Sequence, residues 1–171
     1  MTTRVRPGRV EDLEAVLAML NDPTSIHRRE QCRHAEQPES AAQLYDRLNE
    51  DDNLMLERDG VPIGYASWQR YGEHAHLNVM VVASGHQRQG YGKQLFGAFL
   101  DRLHEQGVES VSLRAYRDSS WAIAFYDGLG LARYDASHEQ YLGPGFLHLK
   151  RLSMAQGQWP APDKALFVGY L

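Results

Sequence analysis

An apolar run, Val79-Met80-Val81-Val82, passes within a few residues into His86-Gln87-Arg88-Gln89-Gly90-Tyr91-Gly92-Lys93-Gln94-Leu95 and then into a helical pattern from about Gly92 to Gln106. This strand, glycine-bearing turn and helix start constrain the fold more than any other stretch. The first turn of an α-helix leaves its N–H groups without intrahelical partners and carries the positive end of the macrodipole. Gly90 and Gly92 lack Cβ atoms, so those N–H groups can approach phosphate oxygens closely. The segment has the parts needed to hold a pyrophosphate. Two other phosphate-binding patterns fail on spacing. A Walker loop needs Lys-Ser/Thr directly after its second glycine; counting from Gly85 and Gly90, this chain has Tyr91-Gly92 there. A Rossmann fingerprint needs a third glycine where Leu95 stands. The bland alternative is a strand-to-helix turn that happens to contain two glycines.

A second segment, Ser119-Ser120-Trp121-Ala122-Ile123-Ala124-Phe125-Tyr126-Asp127-Gly128-Leu129-Gly130-Leu131, follows another strand pattern at Ser110 to Tyr116. Asp118 or Ser119 suits an N-cap, and Gly130 sits where a helix would stop. Ala122, Phe125, Tyr126 and Leu129 recur at helical spacing. The order Gln-x-x-Gly-x-Gly over Gln87 to Gly92 resembles the acyl-CoA pyrophosphate loop of the GNAT superfamily of N-acetyltransferases. The Ala-x-x-Phe-Tyr-x-x-x-Gly-Leu run resembles the second signature of the same superfamily. Together they are far more specific than either alone, and the resemblance covers roughly residues 3 to 152.

The resemblance implies an α/β (α+β) fold with a mixed, mostly antiparallel central sheet flanked by helices in a single domain. It implies residues 1–152 as the acetyltransferase domain and 153–171 as a C-terminal extension. Acetyl-CoA is the implied cofactor. Its pyrophosphate would lie on Gln87, Arg88, Gln89, Gly90, Tyr91, Gly92 and Lys93, and its thioester oxygen on a free N–H among Met80, Val81 and Val82. Ser119, Ala122 and Phe125 would flank the pantetheine arm. The usual asparagine at the head of this helix is Ser119 here, a shorter side chain with one donor instead of two. Tyr126 occupies the position of the family's general acid: a phenol of pKa about 10 can protonate a departing thiolate. The bland reading of Tyr126 is a core ring with a satisfied hydroxyl.

An amine acceptor near pKa 10.4 is protonated at neutral pH, so the site must remove a proton. Relatives often place a carboxylate on the strand before the phosphate loop, at a spacing that lands on His76. Its ordinary pKa of about 6.5 would suit a base at pH 7, and His76→Ala would then depress turnover mainly at neutral pH. His74 and Asn78 would share its sheet face, and Glu73 is a reserve candidate. Two histidines on one strand face could also share a metal, but no third ligand is recognisable, so no metal is expected.

The chain has 171 residues, enough for one compact domain, with 18 basic and 22 acidic residues, a net charge of -4 and a single cysteine, Cys32. These features argue against nucleic-acid and membrane partners and fit a cytoplasmic protein. A small-molecule amine is the first expectation for the acceptor. A peptide or protein amine, N-terminal or lysine, is the alternative, and a non-catalytic acyl-CoA sensor is a third. Dimers are common in the superfamily. The remaining pattern predicts a strand at Thr3 to Arg6, a helix from Glu11 to Leu20 and a non-periodic polar segment from Asn21 to Pro38. A helix capped by Ser40 and a hairpin around Asp59-Gly60 follow, with a closing strand around Phe146 to Leu152. Trp68, Tyr71 and His34 are candidate pocket walls, and Arg28, Arg29 and Arg33 hint at an anionic acceptor group.

Overall fold

The chain runs β1 (Thr3–Pro7), α1 (Leu13–Asn21), α2 (Ile26–Arg33), α3 (Ala41–Glu50), β2 (Asp52–Arg58), β3 (Val61–Tyr71), β4 (His74–Val82), α4 (Tyr91–Glu105), β5 (Ser110–Tyr116), α5 (Ser120–Gly128), β6 (Ala132–Arg133), α6 (Glu139–Ala155) and β7 (Lys164–Tyr170). This computed structural model describes residues 1–171. Its seven strands lie in the order β1-β2-β3-β4-β5-β7-β6. The β1–β2, β2–β3, β5–β7 and β6–β7 pairs are antiparallel and β4–β5 is parallel, the mixed, mostly antiparallel sheet that the motifs implied.

The chain forms two compact units, Met1–Trp68 with Val79–Phe99 and Gln69–Asn78 with Leu100–Leu171. In the first, Asp59 and Gly60 adopt φ of 51° and 79°. This is the left-handed pair that a two-residue hairpin with native twist needs. Val16, Met19 and Leu20 of α1 pack with Leu44 and Leu48 of α3 and with Met55, Tyr65, Val79 and Val81 from the strands. Ser40 caps α3, its hydroxyl accepting from the Gln43 N–H at 3.1 Å.

The polar segment contains a helix that hydrophobic periodicity did not predict. Ser25 caps α2 by accepting from the Arg28 N–H at 3.1 Å, and the one residue α2 fully buries is polar, Gln31. An apolar-stripe test is blind to a short helix whose one buried residue is a glutamine.

In the second unit β5 is covered on both faces. Alternation puts Ser110, Ser112 and Arg114 on one side and Val111, Leu113 and Ala115 on the other. The first face carries α6, where Leu142 and Phe146 pack with Val168. The expected closing strand at Phe146 to Leu152 is part of this helix. Its buried residues, Leu142, Phe146, Leu149 and Ser153, recur at helical and not alternating spacing. The closing strand is β7, inside the segment expected to be an appendage, and it pairs with β5 from Ser110↔Tyr170 to Tyr116↔Lys164.

A break at Gly143, φ 86°, divides α6, and Pro144 begins the longer part. Proline suits a first helical position, where no N–H is needed. The next N–H, of Gly145, donates to Glu73 Oε1 at 3.1 Å. A Cβ on Gly145 would lie 1.7 Å from the Tyr71 carbonyl oxygen. Only glycine lets this helix start sit against the turn between β3 and β4.

Candidate acetyl-transfer site

The phosphate-loop residues lie in the first unit. Ala83 N–H donates to the Ile63 carbonyl and His86 N–H to the Ala83 carbonyl, each at 2.8 Å. Two expected contacts brace the turn with their side chains. Gln87 Nε2 donates to the Val82 carbonyl at 3.1 Å, and Gln89 Nε2 donates to the Gly85 carbonyl at 3.3 Å. Arg88 and Gly90 both adopt left-handed backbone, φ 60° and 86°. The Gly90 carbonyl accepts the first bond of α4, from Gln94 N–H at 3.0 Å. The N–H groups of Tyr91, Gly92 and Lys93 therefore stand ahead of the helix's own bonding, at the positive end of a 15-residue dipole. Arg88, Gln89, Gly90 and Lys93 are exposed. A Cβ on Gly90 would meet nothing within 4 Å, so the backbone angle, and not crowding, is what asks for glycine there. An exposed helix start of this kind fits a pyrophosphate. On β4, Val81 belongs to the core while Met80 and Val82 are partly exposed.

The second unit holds the acid–base candidates. The β4–β5 ladder runs from His74↔Ser110 to Leu77↔Leu113, so His76 lies across from Ser112 one residue before it ends. His76 Nδ1 is 2.7 Å from Ser112 Oγ. The same hydroxyl is 2.8 Å from His74 Nε2. His74 Nδ1 is 2.7 Å from Ser110 Oγ, which donates to the Leu142 carbonyl at 2.9 Å. His74 is fully buried and His76 only 9% exposed. Burial lowers His76 to about 3, with the nearby charges of Arg114 and His74 adding to the effect. Burial likewise lowers His74 to about 4, against a smaller upward pull from Glu73. The expectation of a histidine titrating near 6.5 is corrected: His76 is neutral throughout the working range. Three of the four ring nitrogens already have hydrogen-bond partners, which disfavours a metal shared by the pair.

Tyr126 lies on the other face. Its ring is 5.7 Å from that of Phe167, which pairs with Leu113, and 5.3 Å from Phe125. Trp121 stacks on Phe125 at 5.9 Å. Ser119 caps α5, its hydroxyl accepting from the Ala122 N–H at 3.4 Å. Ala122 is buried beneath that first turn.

Several secondary expectations change. Glu73 is engaged as a cap on α6; a bond with its own backbone, together with the cap bond, holds its carboxyl below the usual range. Trp68 is 1% exposed and packs its ring 5.0 Å from Phe99, a core residue and not a pocket wall. Tyr71 donates to Gln69 Oε1 at 3.0 Å and lies 6.0 Å from His148. Arg28 bonds Gln31 Oε1 and the Glu36 carbonyl at 3.3 and 3.2 Å, and Arg33 lies 4.0 Å from Glu30. A cavity of about 510 Å³ beside these residues is lined by Glu36, Glu39, Asp46 and Arg47 among others. Its acidic lining does not match an anionic acceptor. Ser110, Ser112 and Arg114 went unnoticed in the sequence, although Ser-x-Ser-x-Arg on a strand places three polar groups on one face. Arg114 Nη2 donates to the buried Ser153 hydroxyl at 3.1 Å, and desolvation holds its pKa down.

Comparison with known proteins identifies the family and the fold. The chain is 32% identical over 78 residues to the ribosomal protein bS18-alanine N-acetyltransferase of Escherichia coli K12, covering 46% of this chain and 53% of that one. It is 32% identical over 93 residues to the mycothiol acetyltransferase of Renibacterium salmoninarum, 52% of this chain and 26% of that one. It spans about half the length of the first relative and less of the second. The crystal structure of the PaiA N-acetyltransferase of Thermoplasma acidophilum, in complex with coenzyme A, superimposes with a TM-score of 0.71 at 14% identity, covering both chains fully. No helix is long and apolar enough to cross a membrane. The model of the acetyltransferase (GNAT) family matches residues 14–131, and the chain belongs to that family.

Proposed function

We propose that this chain transfers an acetyl group directly from acetyl-CoA to the primary amine of a small molecule in the cytoplasm. The observation that supports it best is His76, buried, hydrogen-bonded through Nδ1 and placed one residue before the end of the β4–β5 ladder. Acetyl-CoA supplies the activated acyl group. The N–H groups of Tyr91, Gly92 and Lys93 bind its pyrophosphate, with Gly90 setting the backbone for them and Gln87, Arg88 and Gln89 shaping the turn. The backbone of Met80, Val81 and Val82 is the place for the thioester oxygen, and Ser119, Ala122 and Phe125 flank the arm. His76 takes the proton released as the amine nitrogen forms its bond to carbon. Tyr126 gives its proton to the departing sulfur.

A base as weak as His76 cannot deprotonate a free ammonium. It serves because an amine nitrogen becomes far more acidic once it bonds to the carbonyl carbon. The acceptor must therefore arrive neutral, and the pH dependence of turnover passes from His76 to the acceptor. A peptide α-amine is the second reading, favoured by the local similarity to the bS18-alanine enzyme.

The test is acetyl-CoA binding by calorimetry on the parent and on Gly90→Glu. Thiol release is then followed against small amines and peptides with free N-termini. Binding lost in the variant, with release on a small amine, is the expected result. A folded parent that binds no acetyl-CoA would remove the proposal, and release with peptides alone would move the acceptor to the second reading.

A further inference from the structure

Four hydrogen bonds of the second unit form a line, and the line has a direction. At its inner end Ser110 Oγ donates to the Leu142 carbonyl at 2.9 Å. A carbonyl only accepts and a hydroxyl has one proton. Ser110 has none left for His74 Nδ1, 2.7 Å away, so Nδ1 carries hydrogen and donates. Lowered to about 4, His74 is neutral at pH 7 and has a single N–H. Its Nε2 is then bare and accepts from Ser112 Oγ at 2.8 Å. That commits the one proton of Ser112, so His76 Nδ1 donates to Ser112 across 2.7 Å. The lone pair of neutral His76 is left on Nε2.

We propose that this line locks His76 as the Nδ1–H tautomer, presents Nε2 as the proton-accepting atom, and passes the accepted proton through Ser112 onto His74. The inference rests on the reading of His76 as base and adds Ser112 and His74 as positioning residues. The step balances. A proton joins His76 Nε2, the Nδ1 proton moves to Ser112 Oγ, and the hydroxyl proton moves to His74 Nε2. His76 ends neutral with hydrogen on Nε2, and His74 ends as an imidazolium with hydrogen on both nitrogens.

The charges around the pair favour that direction. Arg114 and Tyr71 neighbour each other on the His76 side, and Arg114 opposes a cation on His76. Glu73 favours one on His74. From α6 come the Leu142 carbonyl, the Ser153 hydroxyl bound to Arg114 and Phe146, whose ring is edge-on to His74 at 5.3 Å, together with one titratable group, His148, whose ring lies 6.0 Å from that of Tyr71. Val168 of β7 pairs with Ser112.

The experiment is NMR of the ring nitrogens in the full chain, labelled with ¹⁵N at histidine, without substrate at pH 7. Wild type and Ser112→Ala are compared, with turnover of each measured beside the spectra. Both rings in wild type should be protonated at Nδ1. Ser112→Ala should show mixed tautomers at His76 and about 10- to 100-fold lower kcat with KM for acetyl-CoA unchanged. Ser112→Thr, which keeps a hydroxyl, should restore the tautomer. Hydrogen on Nε2 of His76 in wild type overturns the proposal, as does full turnover in Ser112→Ala. The spectra are recorded without substrate, so the tautomer they report does not depend on whether acetyl transfer is found.

Discussion

The buried histidine pair makes stability fall as pH drops below neutrality. His74 and His76 sit at about 4 and about 3 in the folded protein, against about 6.5 in an unfolded chain. Between those values the unfolded chain binds more protons than the folded one, so stability rises with pH. The contribution is whole above pH 6.5 or so and drains as pH falls toward the folded values. At pH 5 each histidine would take up nearly a full proton on unfolding, costing about 2 kcal/mol relative to pH 7.5, or ~4 kcal/mol for the pair. That is a large part of a typical 5–15 kcal/mol total. His27, also lowered by burial, adds to it with the same sign. Carboxylates held low by their partners, such as Asp12 beside Arg6, lose their contribution at lower pH and leave this window clear. Urea unfolding at fixed pH values from 7.5 to 5, with a constant m-value, measures the slope. His76→Asn keeps a polar side chain and cannot titrate, so it should remove about half the loss, ~2 kcal/mol at pH 5. Stability that stays flat to pH 5, or a slope unchanged in His76→Asn, would refute the buried neutral pair.

Three further outcomes follow from the same geometry. Tyr126→Phe should lower kcat by about 100-fold or more while calorimetry finds acetyl-CoA binding unaltered; an equal fall in binding would make Tyr126 a packing residue. Glu73→Gln should cost about 1 kcal/mol in urea unfolding through the weakened α6 cap and leave kcat within a few-fold of the parent; a large loss of kcat would return Glu73 to the chemistry. Arg114→Gln removes a charge that disfavours protonated His76, so the His76 ring should titrate at higher pH by NMR; an unmoved titration would mean burial alone sets it.

The two glycine-bearing motifs were legible because backbone geometry left a residue-level trace. Gly90 takes a φ that other residues avoid, and Ala122, Phe125 and Tyr126 keep one helical register. The hairpin at Asp59-Gly60 was legible for the same reason. What hid from the sequence was polar or distant. The α2 helix buries a glutamine, which no hydrophobic pattern can register. The α6 helix takes its cap from Glu73, on the far side of the sequence, and without that partner Phe146 to Leu152 reads as a strand. The His–Ser line needs β4 and β5 in one register, and no spacing within either strand announces it. The low basicity of His76 is a property of burial, not of residue type.

Strand alternation in the second unit places the proposed base and acid on opposite faces of the sheet. His76 bonds Ser112 on the α6 side, while Tyr126 packs on Phe167, whose partner Leu113 faces the other way. Two separate proton routes follow, one drawing a proton from the amine and one giving a proton to sulfur. Each must reset through solvent before the next turnover. The reset of the base is downhill at neutral pH, because an imidazolium formed on a pair lowered to about 4 and 3 sheds its proton to water readily. A phenolate formed on the other face takes its proton back from solvent. Neither step should then shape the pH profile between about 5 and 8. With a near-saturating acetyl-CoA concentration, kcat/KM for the acceptor should rise with pH toward the acceptor's own amine value, by about tenfold per unit. It should show no second inflection near 6.5. A distinct limb with a midpoint near 6.5, abolished by His76→Asn, would mean that His76 titrates as an ordinary histidine and that its burial does not govern the chemistry.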